Sequence, residues 1–154
     1  MITLATHIST QRYRPAEITA WIPEIQRYVP INSDGDIVMA RQQGRNFAIA
    51  LGFSQSNITL IATAISELAR NIIEYAQKGE IMLCSLRRGG KVGIEIVASD
   101  HGPGIADVDL ALQDGYSTGR SLGMGLPGTK RVMDEFEISS SLGSGTIVTI
   151  RKWE

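Results

Sequence analysis

The stretch SQSNITLIATAISELARNIIEYAQKG, Ser54 to Gly79, limits what this chain can fold into more than any other. Ile58, Ile61, Ala62, Ile65, Leu68, Ala69, Ile72 and Ile73 recur at the spacing that winds them into one apolar stripe of an α-helix. Such a stripe is stable only against a second layer. Ser56 is the expected N-cap and Gly79 the expected glycine just past the helix end. The second layer follows at once in EIMLCSLRRGGKVGIEIVASD, where two apolar-alternating runs joined by RRGGK read as a β-hairpin on a Gly-Gly turn. EFEISSSLGSGTIVTIRKW reads as another hairpin, its strands carrying Phe136, Ile138, Ile147 and Ile150.

Ahead of the long helix, DIVMARQQGRNFAIALG places Ile37, Val38, Ala40, Arg41, Gly44, Phe47, Ala48 and Leu51 at helical spacing, with Asp36 able to cap the start and Gly52 to end the run. NSDG before it is turn chemistry. In residues 1–30, AEITAWIPEIQRYV has helical apolar spacing that Pro23 and Pro30 interrupt. It reads as a short helix or extended arm, then an edge-type strand near Tyr28 to Ile31. LPGTKRVMDEF has short-helix character. Helices followed by runs of strands predict an α+β fold: one domain over 1–154, a two-layer α/β sandwich with a mixed, mostly antiparallel sheet covered on one face by helices.

Whole-chain properties exclude several classes. With 154 residues, a formal net charge of −1 and no basic run of five or more, the chain offers no footprint for nucleic acid or an anionic membrane. Cys84 is the only cysteine, which rules out an internal disulfide and a CxxC metal site. No segment approaches eighteen uninterrupted apolar residues, and the N-terminus lacks a signal-peptide core, so a cytoplasmic protein is expected. The 16 glycines exceed an average share and direct attention to particular loops.

The richest loop is YSTGRSLGMGLPGTKR, where Gly123-x-Gly125-x-x-Gly128 matches GxGxxG. A dinucleotide site needs a buried strand before that pattern and an acidic residue about twenty positions later. A polar turn precedes it and SLGSG follows, so that reading fails. A Walker A loop fails too, since the order here is Gly128-Thr129-Lys130. A structural loop and a phosphate cradle both remain open. On the long helix, Glu67 and Asn71 lie four residues apart, about 40° around the axis, with Glu74 near the same line. This is either a solvated stripe or a chemical pair, Asn71 offering an amide oxygen to Mg²⁺ and Glu67 acting as a general base. DHGPGI, Asp100 to Ile105, ends a strand. Gly102 and Gly104 allow a tight turn and room for a flat ligand, and Asp100 can accept from an exocyclic amine; a plain Pro-Gly turn capped by Asp100 fits equally. LGSGT, Leu142 to Thr146, reads by itself as a hairpin turn.

Together and in this order, these pieces resemble the motifs of the GHKL (Bergerat-fold) ATPase superfamily. ELARN, Glu67 to Asn71, is similar to its N-box; DHGPG, Asp100 to Gly104, to its DxGxG box; GMGL, Gly123 to Leu126, to its GxGL box; and GSGT, Gly143 to Thr146, to its GxGT box. The phrase ISELARNI, the loop GYSTGRSLGMGLPG and KRVMDEFEI further resemble the anti-sigma-factor serine/threonine kinases, in particular the stressosome switch kinases of the RsbT type, over about residues 30–154. Residues 1–29 lie outside the resemblance.

The resemblance implies roles for particular residues. Asp100 would read the adenine amino group of ATP with Thr146 nearby, in a site that includes Gly102, Gly104, Ile105 and Gly145. Asn71 would ligate Mg²⁺, and Gly119 to Gly125, with Arg120, Ser121, Gly123 and Met124, would form a lid over the phosphates. The helix starting near Leu126 would point its positive end at them, with Lys130 and Arg120 as candidate phosphate contacts. Glu67 would be the base toward the substrate hydroxyl. His101 is expected to face solvent, His7 to be inert and Cys84 to be a small buried hydrophobe; Trp21 and Trp153 are open between core and contact roles. The implied activity is serine/threonine phosphorylation of STAS-domain proteins, stressosome components or anti-anti-sigma factors, with binding to a PP2C-type phosphatase when free. Two rivals fit the same site: an anti-sigma factor that sequesters a sigma factor, and the ATPase domain of a split histidine kinase.

Overall fold

The computed structural model describes residues 26–113 and 125–154. The sequence expectations for residues 1–25, including Trp21 and His7, and for Gly119, Arg120, Ser121, Gly123 and Met124 fall outside the described residues. The chain runs through strand β1 (Gln26–Ile31), helices α1 (Asp34–Ala50) and α2 (Gln55–Ala76), strands β2 (Gly79–Arg88) and β3 (Lys91–Asp100), helices α3 (Val108–Ala111) and α4 (Gly125–Val132), and strands β4 (Glu135–Ser141) and β5 (Gly145–Trp153).

The five strands lie in the order β1-β2-β3-β5-β4. Among the described residues every pairing is antiparallel. β1 is an edge strand, as its Pro30 requires, since proline cannot donate to a second neighbour. Gly89 (φ 56°) and Gly90 (φ 80°) turn the β2–β3 hairpin, both in the left-handed region that a two-residue turn of this hand demands.

One core cluster joins the helices to one face of the sheet. Ile58, Ile61, Ile65, Leu68 and Ile72 of α2 meet Val29, Ile31, Ile81, Leu83, Ile94, Ile96, Val148 and Ile150, all nearly inaccessible. Each such branched side chain contributes roughly 1.5–3 kcal/mol when fully buried. α1 lies against α2 through Ala40, Gly44, Phe47 and Ala48. A Cβ on Gly44 would run into Ile65, so glycine sets how closely these helices approach. Val38 and Arg41, which the spacing assigned to the apolar stripe, face solvent instead. Small residues carry the contact with α2, and Val38 sits to its side, 70% exposed.

Both caps of α2 differ from expectation. Ser54, not Ser56, is the N-cap and accepts from the Asn57 N–H at 3.4 Å. Gln77 (φ 71°), not a glycine, takes the left-handed C-terminal position. Gly79 already belongs to β2, where a Cβ would collide with Ile72, Asp100 and the Ser99 carbonyl. At α1, Ser33 is the N-cap, and Asp36 reaches back to accept from the Asn32 and Ser33 N–H groups at 2.8 and 3.0 Å.

On the opposite sheet face, Arg151 (3% exposed) lies 2.7 Å from Glu95, 2.9 Å from Glu135 and 2.7 Å from Glu137. Burial by itself would lower the Arg151 pKa, but Glu95 and Glu137 outweigh it and the value is raised. Trp153 packs where a Cβ on Gly93 would stand, and the Arg88 guanidinium lies 4.3 Å from its ring centroid. Among the described residues no helix is long and apolar enough to cross a membrane.

Candidate active site

Three stretches, the C-terminal turn of α2, the loop after β3 and the β4–β5 turn, meet at the end of the sheet where β2 begins and β3 ends. The meeting is set by close backbone approaches. Gly79 pairs with Asp100, which brings the loop after β3 to the C-terminal turn of α2. There a Cβ on Gly102 would stand 2.6 Å from the Ala76 Cβ. Gly104 (φ 78°) leaves no room for a Cβ beside the Ser141 carbonyl, and Gly145 (φ 97°) none beside the Asp100 carbonyl. The Cβ direction of Gly102 thus faces Ala76, and that of Gly104 faces the Ser141 carbonyl. These glycines dock one loop onto another.

Asp100 is half-buried, and its two carboxylate oxygens are used differently. Oδ1 accepts from the Gly102 N–H at 2.9 Å and the Thr146 N–H at 3.3 Å. Oδ2 has no protein partner among the described residues, so one oxygen is left to accept from a ligand. Ser140, which the sequence did not single out, ties the surroundings together. Its Oγ accepts from the Ile105 N–H at 2.7 Å, donates to the Gly145 carbonyl at 3.1 Å and lies 2.8 Å from Thr146 Oγ1. Thr146 and Ile105 are thereby placed beside Asp100. His101 is exposed, as expected.

On α2, Glu67 is 3% exposed although it carries a carboxylate. Arg70 Nη1 lies 2.7 Å from its Oε1, one helical turn on. The Gly125 N–H, the first of α4, donates to Oε2 at 3.2 Å. A carboxylate at this position complements both the helix dipole and an unpaired N-terminal amide. The contact joins residues 58 apart in sequence and shows that α4 begins where an anion is held. The described part of α4 opens at Gly125, near the expected Leu126, and Thr129 donates to the Gly125 carbonyl at 2.8 Å. Lys130 is exposed.

Asn71 is half-buried, and its amide makes no hydrogen bond among the described residues. Glu74 Oε2, one turn further, is shielded from solvent and likewise has no partner. Among the described residues no group of three His, Cys, Asp or Glu is arranged to hold a metal ion. The donor set is one of isolated oxygens, suited to a hard cation that takes most of its ligands from water and phosphate. Arg70 and Ser140 are the site residues that sequence reasoning missed. Arg70 was signalled only by its three-residue offset from Glu67, and Ser140 by nothing short of the β4–β5 register.

The histidine kinase-like ATPase domain model matches residues 33–152 of this chain. Over 128 residues the chain is 51% identical to the serine/threonine-protein kinase RsbT of Bacillus subtilis (strain 168), covering 83% of this chain and 96% of that one. It is 34% identical over 113 residues to the anti-sigma F factor of Caldanaerobacter subterraneus subsp. tengcongensis, covering 70% and 78% respectively. The solved catalytic domain of the histidine kinase ThkA superposes with a TM-score of 0.47 at 16% identity, over 82% of this chain and 95% of that one.

Proposed function

The chain belongs to the histidine kinase-like ATPase domain family and is a serine/threonine-protein kinase within it, and on that premise we propose that it phosphorylates STAS-domain proteins, of the stressosome or anti-anti-sigma type, in a partner-switching module. The observation that carries the reading is the placement of Glu67. A carboxylate that is nearly inaccessible sits at the first N–H of the helix that the glycine loop leads into. A base belongs at that point if phosphates lie over the helix start.

In this reading Asp100 Oδ2 accepts from the adenine amino group, while Oδ1 stays committed to Gly102 and Thr146 and holds the carboxylate in orientation. Asn71 offers its free amide oxygen to Mg²⁺, which when bound would neutralise phosphate charge. Gly119 to Gly125 close over the phosphates and α4 presents its N-terminus. Glu67 accepts the proton of the Ser or Thr hydroxyl as that oxygen bonds to the γ-phosphorus. The bond to the bridging oxygen breaks and its electron pair leaves with ADP. Arg70 positions Glu67. Transfer of this kind depends chiefly on positioning and charge neutralisation, which these groups supply. Release of the phosphorylated partner would free the kinase to bind a PP2C-type phosphatase.

The test is incubation with labelled ATP, Mg²⁺ and candidate STAS-domain proteins, read by mass spectrometry. Acid-stable phosphate on a Ser or Thr is expected; acid-labile phosphohistidine, or no transfer to any such protein, refutes the reading. The anti-sigma F factor relative favours a second reading, sequestration of a sigma factor with ATP as a structural ligand. ATP-dependent capture of a sigma factor, without exchange between STAS protein and phosphatase, would select it.

A further inference from the structure

Glu67, Asn71 and Glu74 of α2 fall within about 60° of the helix circumference, with Asn71 roughly 6 Å and Glu74 roughly 10 Å along the axis from Glu67. The other carboxylates of the site are anchored by the protein. Glu67 meets Arg70 and the Gly125 N–H, and Asp100 Oδ1 accepts from the Gly102 and Thr146 N–H groups. Glu74 differs from both. Its Oε2 is shielded from solvent and has no hydrogen-bond partner. A carboxylate oxygen in that condition has given up water without gaining a donor, which is unfavourable unless a ligand supplies one.

We propose that Glu74 accepts a hydrogen bond from a ribose hydroxyl of ATP and makes the site selective for ribonucleotides over deoxyribonucleotides, an inference that rests on the ATP site proposed above. Its place along α2 carries the assignment. One end of the site is marked by the Gly125 N–H on Glu67. The other is marked by the loop after β3, since Gly79 pairs with Asp100 and the Cβ direction of Gly102 faces Ala76, two residues beyond Glu74. From one end to the other, the protein presents Glu67, Asn71, Glu74 and then the Asp100 loop. ATP carries the matching order: transferred phosphate, cation-bridged phosphates, ribose and adenine.

The chemistry agrees with that order. A carboxylate only accepts, and a ribose offers two neighbouring O–H donors. Acidic side chains hold ribose hydroxyls in the same way in dinucleotide-binding folds. Phosphate oxygens are a poor match for Glu74, because like charges repel. A shared cation fits less well than ribose, because Glu74 lies on the adenine side of Asn71 and no metal-holding group of three His, Cys, Asp or Glu occurs among the described residues. A nucleotide that lacks the hydroxyl would leave Glu74 Oε2 unsatisfied, so the loss of affinity falls on the deoxyribonucleotide.

Titration calorimetry of the full chain with ATP, 2′-deoxyATP and 3′-deoxyATP, each with Mg²⁺ and with EDTA, tests the contact without any variant. With Mg²⁺, at least one deoxynucleotide should bind about 10-fold or more weakly than ATP. Glu74→Leu should bring the three affinities within about 3-fold of one another, while Glu74→Gln, which keeps an acceptor, should retain part of the preference. ATP bound without discrimination, or discrimination undiminished in Glu74→Leu, overturns the ribose contact and leaves the ATP site standing. A loss of affinity in Glu74→Leu that is equal for all three nucleotides and confined to Mg²⁺ overturns it in favour of a cation ligand. Absence of ATP binding to the unaltered chain overturns the underlying reading together with this one.

Discussion

Replacing Gly145 by alanine tests the docking of the β4–β5 turn onto the Asp100 loop, and Gly143 two residues earlier supplies the control. Both are left-handed, φ 97° at Gly145 and 79° at Gly143, so each alanine costs about 1–2 kcal/mol in backbone strain. Only the first meets an obstacle. Nothing lies within 4 Å of a Cβ on Gly143, whereas a Cβ on Gly145 would overlap the Asp100 carbonyl and crowd His101 Cα at 2.8 Å. Both obstacles are backbone, so relief requires the two loops to part, adding roughly 1–3 kcal/mol as other overpacked sites do. At about 2–4 °C per kcal/mol for a domain of this size, Gly145→Ala should melt some 6 °C below Gly143→Ala. Parting the loops also moves Asp100 and Thr146 on the order of 1 Å, and a displacement of that size costs about 100-fold in rate. Scanning calorimetry and phosphotransfer assays on the pair would measure both effects. Equal melting temperatures and equal rates would refute the account of the site as loops held together by glycine.

The remaining expectations concern single groups. Glu67→Gln keeps an acceptor for the Gly125 N–H, so nucleotide binding should persist by calorimetry while phosphotransfer falls about 10²–10⁴-fold; full activity would remove Glu67 from the role of base. Asp100→Asn keeps an acceptor for Gly102 and Thr146 but turns a donor toward the adenine amino group. ATP affinity should drop about 10- to 100-fold, from roughly 1–3 kcal/mol for an unsatisfied group, and an unchanged dissociation constant would contradict the assignment. The Asn57 amide, donating to Glu154 at 2.8 Å, holds that carboxyl below its ordinary value of 4.5. The folded pKa is depressed, so the contact stabilises above pH 4.5 and its contribution is lost as pH falls through the folded value. Solvent screening limits it to about 0.3 kcal/mol. Carboxyl titration by NMR should show the Glu154 pKa rising in Asn57→Ala, and no change would mean that the contact is absent in solution.

The sequence carried the parts of the fold that depend on period. Ile58 to Ile72 of α2 and the alternating strands of the β2–β3 hairpin read correctly because burial repeats at the helical or strand spacing. The Gly89-Gly90 turn read correctly because few residue pairs tolerate its dihedral angles. Caps read less well: Ser54 and Ser56 both carry a hydroxyl before the same apolar stripe, and only the path of the backbone selects Ser54. Val38 looked apolar enough for the core, but α1 packs through alanine and glycine and leaves it in water. The motif residues were legible as types and positions. What they touch was not, because the approaches of Gly145 to Asp100 and of Gly125 to Glu67 join segments 45 and 58 residues apart. Ser140 and the Arg151–Glu95 pair depend wholly on cross-strand register, which no local pattern encodes.

The Gly89-Gly90 turn has a practical use. β2 starts and β3 finishes beside the site, so ten residues of strand, about 30 Å at roughly 3.3 Å each, separate that end from the turn. A Cβ on either glycine would meet nothing within 4 Å. A fluorophore, an affinity handle or a surface tether inserted at this turn would sit at the far pole of the molecule. Partner exchange could then be followed one molecule at a time without the label competing for the face where partners and nucleotide are expected to meet.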